Sequence, residues 1–176
     1  MEMTEATKQR LAKAMAWIDE HRNDSQDELR KQFSSLAEQF NTEISGLSEI
    51  QFDFKPSEKD WSVREVCLHI SHSMRGGASA IETLASGTTL PDYAAPGELD
   101  EDPGEQSKIV TNVETAFQKV LNSLSCLDGT EELDATFKHP FFGPINSRQT
   151  AAFNILHLTI HVNQVRRVKG YDEFAG

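Results

Sequence analysis

The chain predicts an all-α fold: a four-helix bundle with an additional helix at its N-terminus and two long connecting loops. Three observations carry this. Apolar residues recur at three- and four-residue spacing over long stretches, strand-like alternation is nearly absent, and two segments containing proline and glycine separate the later stretches. The 176 residues suffice for a real core and show no repeat or internal boundary. We therefore expect one domain over 1–176, with 1–24 a helical extension and 26–170 the bundle.

The helical pattern begins near residue 4 and continues to about residue 50, through Leu11, Met15 and Ile18 and then Leu29, Phe33, Leu36, Phe40, Ile44 and Leu47. Either one long helix runs through, or, as we favour, the chain breaks or kinks at Asn23-Asp24-Ser25, where Ser25 or Asp24 can cap a new helix. The first piece then lies on the domain or on a partner chain. Residues 51–60 read as a connector, because Pro56 stops a helix. Ser62 and Glu65 form a capping box for the second bundle helix, which should run to about Ala85. That gives Glu65 a structural task rather than a catalytic one. Gly76 and Gly77 inside this helix cost helix propensity and suggest a close approach or a kink. A long crossing follows from Ser86 to Asp102. Asp102 as cap and Pro103 at the first helical position should open the third helix, whose buried stripe is Ile109, Val113, Phe117, Val120 and Leu124. Leu133 to Ile145 reads as a second long loop, tucked onto apolar surface through Phe141 and Phe142. The last helix should start near Asn146 or Ser147 and end at Gly170.

Composition excludes several classes. Apolar residues at 38% and charged residues at 26% suit a water-soluble domain. The net charge of -11 and pI near 4.9 oppose capture of nucleic acid or an anionic membrane, which needs clustered Lys and Arg. The one compact basic group, Arg166, Arg167 and Lys169, falls in the last helical turn, where it complements the helix dipole. Cys67 and Cys126 form no close-spaced pair, and no apolar run reaches a membrane span. Met1-Glu2-Met3-Thr4-Glu5 lacks the basic and apolar regions of a signal peptide, so the cytoplasm is the expected location.

The chemistry centres on Asn154-Ile155-Leu156-His157-Leu158-Thr159-Ile160-His161. Imidazoles four residues apart project from one helical face, a spacing that suits two ligands of one metal ion. A catalytic zinc-type site commonly takes three protein ligands and leaves one position open. His69, deep in the apolar run of the second helix, is the best third candidate, and His72 is a weaker one. His139 could line a pocket, and His21, among charged residues, should be solvated. Leu158 occupies the position where a His-Glu-x-x-His peptidase carries its base. Asn154 and Leu158 likewise stand where a di-iron bundle needs glutamates. Imidazole donors alone leave Zn, Ni, Cu and Fe open.

Trp61-Ser62-Val63-Arg64-Glu65-Val66-Cys67-Leu68-His69 resembles the start of the second helix in the DinB-like superfamily. His139-Pro140-Phe141-Phe142-Gly143-Pro144, followed by His157, His161 and Gln164, resembles that family's third loop and last helix. The likeness spans about residues 26–170. It implies a bundle, often a homodimer, with one divalent ion (Zn, Ni or Fe) on His69, His157 and His161, and with Gln164 as an outer or pocket residue. It further implies a metal-dependent S-transferase or isomerase that acts on a small-molecule substrate and uses a low-molecular-weight thiol. The alternatives are a non-catalytic metal-binding stress protein, a hydrolase that uses a metal-activated water, and a helical dimerisation module whose histidines are core residues.

Overall fold

Four of the five long helices start where a short polar side chain, Thr4, Ser25, Ser62 or Asn146, satisfies a free amide. In the computed structural model, which describes residues 4–91 and 98–175, α1 spans Glu5–His21, α2 Gln26–Ile44, α3 Glu49–Asp53, α4 Val63–Ala85, α5 Gln106–Ser123 and α6 Ser147–Lys169. Ser25 with Glu28, Ser62 with Glu65 and Asn146 with Gln149 form reciprocal capping boxes. The expected break before α2 is thus realised, as are the start of α4, its end at Ala85, and the closure of α6 at Gly170. The middle of the Ser86–Asp102 crossing, including Pro96 and Gly97, lies outside the described residues.

Around the bundle, α4 lies between α5 and α6, α6 lies between α4 and α2, and α2 closes onto α5. Phe117 of α5 meets Phe33 and Phe40 of α2 edge to face, with centroids 5.8 and 5.6 Å apart, a favoured arrangement of aromatic quadrupoles. Arg166 and Lys169 bond Glu43 and so fasten the end of α6 to α2. The N-terminal helix α1 docks on α6. Ile18 is fully buried there, and Gln149 donates to Asp19 at 2.8 Å.

The structure corrects the sequence reading in five places. The first helical run stops at Ile44, because Gly46 takes a left-handed φ of 71°. Ser48 and Gln51 then cap the extra turn α3. Asp102 and Pro103 do not open α5. Asp102 accepts the Gly104 amide at 2.8 Å and pairs with Arg64, while Gly104 sits at φ 80°, so the helix begins at Gln106. The expected loop over 133–145 contains a hairpin, with β1 at Phe137–His139 antiparallel to β2 at Gly143–Ile145. Three-residue strands are too short to show periodicity. His21 is half-buried, 4.0 Å from the Trp17 ring, with its Nδ1 2.9 Å from Asp24.

At Gly77 the Asn154 side chain of α6 packs directly against the α4 backbone. A Cβ there would lie 2.4 Å from Asn154 Oδ1 and 2.6 Å from its Nδ2. Gly77→Ala should therefore lower unfolding free energy by about 1–3 kcal/mol in urea titration, despite its better helix propensity. Asn154→Ala in the same chain should restore much of the loss.

Candidate metal centre

Where α4 and α6 converge, the spacing of His157 and His161 brings both rings onto the face that meets His69. One ring nitrogen from each of the three lies within 4.8 Å of the other two. His69 Nε2 and His157 Nε2 are 3.1 Å apart. Trp61, at the head of α4, stacks nearly parallel to His161, with centroids 6.1 Å apart. Phe153, one turn before His157, stacks on that ring from the other side of the site.

Outer hydrogen bonds fix two of the three rings. Glu98's backbone carbonyl can only accept, so His69 Nδ1–H donates to it at 2.9 Å. His161 Nδ1–H donates to Gln164 Oε1 at 2.8 Å. In each neutral ring the lone pair is left on Nε2, the nitrogen a metal takes when Nδ1–H is anchored outside. His157 has no such anchor, and its Nδ1 is buried without a partner among the described residues.

Burial keeps the cluster uncharged. His157 is held well below the ordinary imidazole range by burial, with His161, His69 and His139 adding repulsion. His161 is pushed down to about 4, chiefly by burial and then by His69, with Gln164 opposing. Burial also lowers His69, against the Glu98 carbonyl. Three neutral nitrogen donors in an apolar setting fit a borderline divalent cation. Two Nε2 lone pairs at 3.1 Å repel unless a proton or a cation stands between them.

The cluster sits in a cavity of about 460 Å³ whose walls are mostly apolar. Trp61, Phe137, Phe142 and Phe153 line it, and Leu11 and Ala14 of α1 close one side. The N-terminal helix is therefore part of the chamber. Among the described lining residues Glu98 is the sole carboxylate, and its Oε2 is 3.1 Å from His72 Nε2.

His72 lines the same cavity but turns toward the Glu98–Asp100 strap, with Nδ1 3.4 Å from Asp100. It is not in the cluster of His69, His157 and His161. Glu65, read as structural, caps α4 and bonds Lys55 at 2.8 Å. His139 lines the cavity, 93% buried by its 7% exposure, with its ring against Phe142 and Phe153. The sequence reading gave Phe153 and α1 no part in the site. Phe153 was detectable, since it lies four residues before His157 and hence on the same helical face. The contribution of α1 had no local signal.

A four-helix bundle carrying three convergent, uncharged imidazoles at the floor of an apolar chamber is the class defined by fold and site together. The chain belongs to the DinB superfamily, whose model matches residues 32–165. No curated protein matches it significantly. Among solved structures it is similar to YfiT from Bacillus subtilis, characterised as a probable metal-dependent hydrolase with an unusual four-helix bundle topology. That likeness has a TM-score of 0.67 at 15% identity and covers 84% of this chain and 87% of that one, a likeness of fold.

Two measurements test the geometry. Gln164→Leu frees His161 Nδ1 and should weaken zinc binding about 10- to 100-fold in a competition titration while leaving the fold intact. Acid stability tests the buried rings. Burial holds His139 uncharged down to about 4, whereas an unfolded histidine takes a proton near about 6.5. Between those values the unfolded chain binds more protons, so stability present above 6.5 is lost as pH falls toward 4. In metal-free protein, His139→Phe should flatten the fall of the unfolding free energy from urea titration in that window, by up to about 1 kcal/mol per pH unit.

Proposed function

We propose that this protein is a metal-dependent enzyme of small-molecule metabolism, a transferase or isomerase that uses a low-molecular-weight thiol. His69, His157 and His161 would hold one divalent ion. When bound, such an ion supplies Lewis acidity and turns a thiol into its nucleophilic thiolate at neutral pH. The chain's own residues supply the rest. The Glu98 carbonyl and Gln164 orient two of the rings, and the burial that keeps all three neutral favours loading without proton competition. Trp61, Phe142 and Phe153 exclude water and offer apolar contact to a substrate body.

The observation that supports the thiol reading is that no carboxylate among the described lining residues is left free to act as a base. Glu98, the sole carboxylate among the described lining residues, is engaged by His72. Activation of water usually draws on a general base, and a thiol needs one less. The second reading is hydrolysis, and the likeness to YfiT favours it. We further expect a homodimer in the cytoplasm. No described helix is long and apolar enough to cross a membrane.

Metal analysis is the first test. The purified chain should take up about one equivalent of a divalent ion, and His69→Ala, His157→Ala and His161→Ala should each abolish uptake. His72→Ala should retain it, and equal loss there would move the third ligand to His72. Loaded protein should then conjugate monobromobimane or chlorodinitrobenzene with one of a panel of cellular thiols. Ester hydrolysis without thiol dependence would select the second reading, and silence in both assays would select a metal-binding protein without turnover.

A further inference from the structure

His139 shares the chamber with the three-histidine cluster without belonging to it. His139 ends β1 and lies across the cavity wall, its ring stacked on Phe142 at 4.8 Å and set edge-on to Phe153 at 4.7 Å. The hairpin fixes its tautomer. The Phe141 backbone N–H donates to His139 Nδ1 at 3.2 Å. An amide hydrogen can be accepted only by a lone pair, so the proton of the neutral ring sits on Nε2. Nε2 has no partner among the described residues. The sealed, partnerless side-chain nitrogens of this region are Asn154 Nδ2 and His157 Nδ1. His139 Nε2 is not one of them, and its ring lines the cavity, so the N–H edge opens onto the chamber.

We propose that His139 is a substrate-binding residue whose Nε2–H donates a hydrogen bond to a carbonyl oxygen of a neutral, apolar or aromatic substrate held beside the metal centre. Three features select that class. The donor is fixed as a donor, because its Nδ1 is committed to Phe141. Burial keeps the ring neutral, so it favours a neutral acceptor over a counter-ion. The rings of Phe142 and Phe153 flank it with apolar surface, which accepts a ring or chain but offers a charged group no solvation. An apolar molecule of the same shape without an acceptor would leave the N–H desolvated and unpaired, the condition under which binding sites discriminate most strongly. This inference rests on the cavity being the substrate chamber of the proposed enzyme, and it adds what that substrate must carry.

Acetophenone and α-methylstyrene test it, since they differ in C=O against C=CH2 at nearly equal shape. Titrations of the full-length protein, zinc-loaded and metal-free, are followed by amide NMR. Acetophenone should bind about tenfold more tightly than α-methylstyrene in both forms. His139→Phe should bring the two affinities together, and His139→Gln, which keeps a donor at the same reach, should restore the preference. Nitrogen NMR of the wild-type ring should show a protonated Nε2 and an unprotonated Nδ1 at neutral pH, a reading that needs no variant. A proton on Nδ1, no preference in the wild type, or a preference unchanged in His139→Phe would overturn the assignment. Zinc uptake is measured on the same samples and separates the two ideas. Failure to take up zinc with the acetophenone preference intact sinks the metal-centre reading alone, whereas normal uptake without the preference sinks this one alone.

Discussion

The site depends on how closely α4 and α6 approach. His69 stands on one helix and His157 and His161 on the other, so the three nitrogens gather only where these two helices pack against each other. Gly77 permits the approach, because its missing Cβ leaves the space taken by the Asn154 amide one turn before His157. A glycine within a 23-residue helix costs about 1 kcal/mol against alanine. The packing that it admits, with Asn154 1% exposed and Ala151, Ile155 and Leu158 buried around it, accounts for its presence there.

Close approach has an electrostatic consequence. Three imidazoles drawn together away from water cannot share the chamber as cations, so burial and mutual repulsion both press them toward the neutral, ligating form. The outer partners then decide which nitrogen faces inward. One is a backbone carbonyl on the strap that crosses α4, and the other is a side-chain amide one turn along α6. Neither carries charge, which leaves the full charge of a bound cation to act inside the chamber. The strap is held in turn by Arg75 and His72 against Asp100, so the orientation of His69 depends on contacts outside the cavity.

Much of this was legible in the sequence, for physical reasons that differ by element. Helix periodicity and capping boxes are local, so α2, α4 and α6 could be read from Ser25, Ser62, Asn146 and their partners three residues on. The i, i+4 histidines were legible because a helix repeats nearly every four residues. The start of α5 was misread because Asp102 has two competing uses for its carboxylate, and the tertiary one, with Arg64 and the Gly104 turn, prevailed. The β1–β2 hairpin escaped because three residues per strand cannot display a period of two. The role of α1 escaped because an amphipathic stripe shows that a face is buried and not what lies against it.

That last point bears on how such a chamber acquires selectivity. The family model covers residues 32–165 and so excludes α1 altogether. Yet Leu11 and Ala14 wall the cavity, Arg10 reaches its edge, and Ile18 and Asp19 lock the helix to α6. The metal-ligand candidates, their outer partners and the His139 hairpin all belong to the shared bundle. The outermost wall belongs to an element that the family model does not describe. A bundle can thus keep its reactive floor fixed, where small displacements would separate three nitrogens. It can vary what is admitted by changing a helix that touches the chamber from one side only. The exposed Arg10 adds a positive charge on that side, while most of the remaining lining is aromatic, apolar or imidazole.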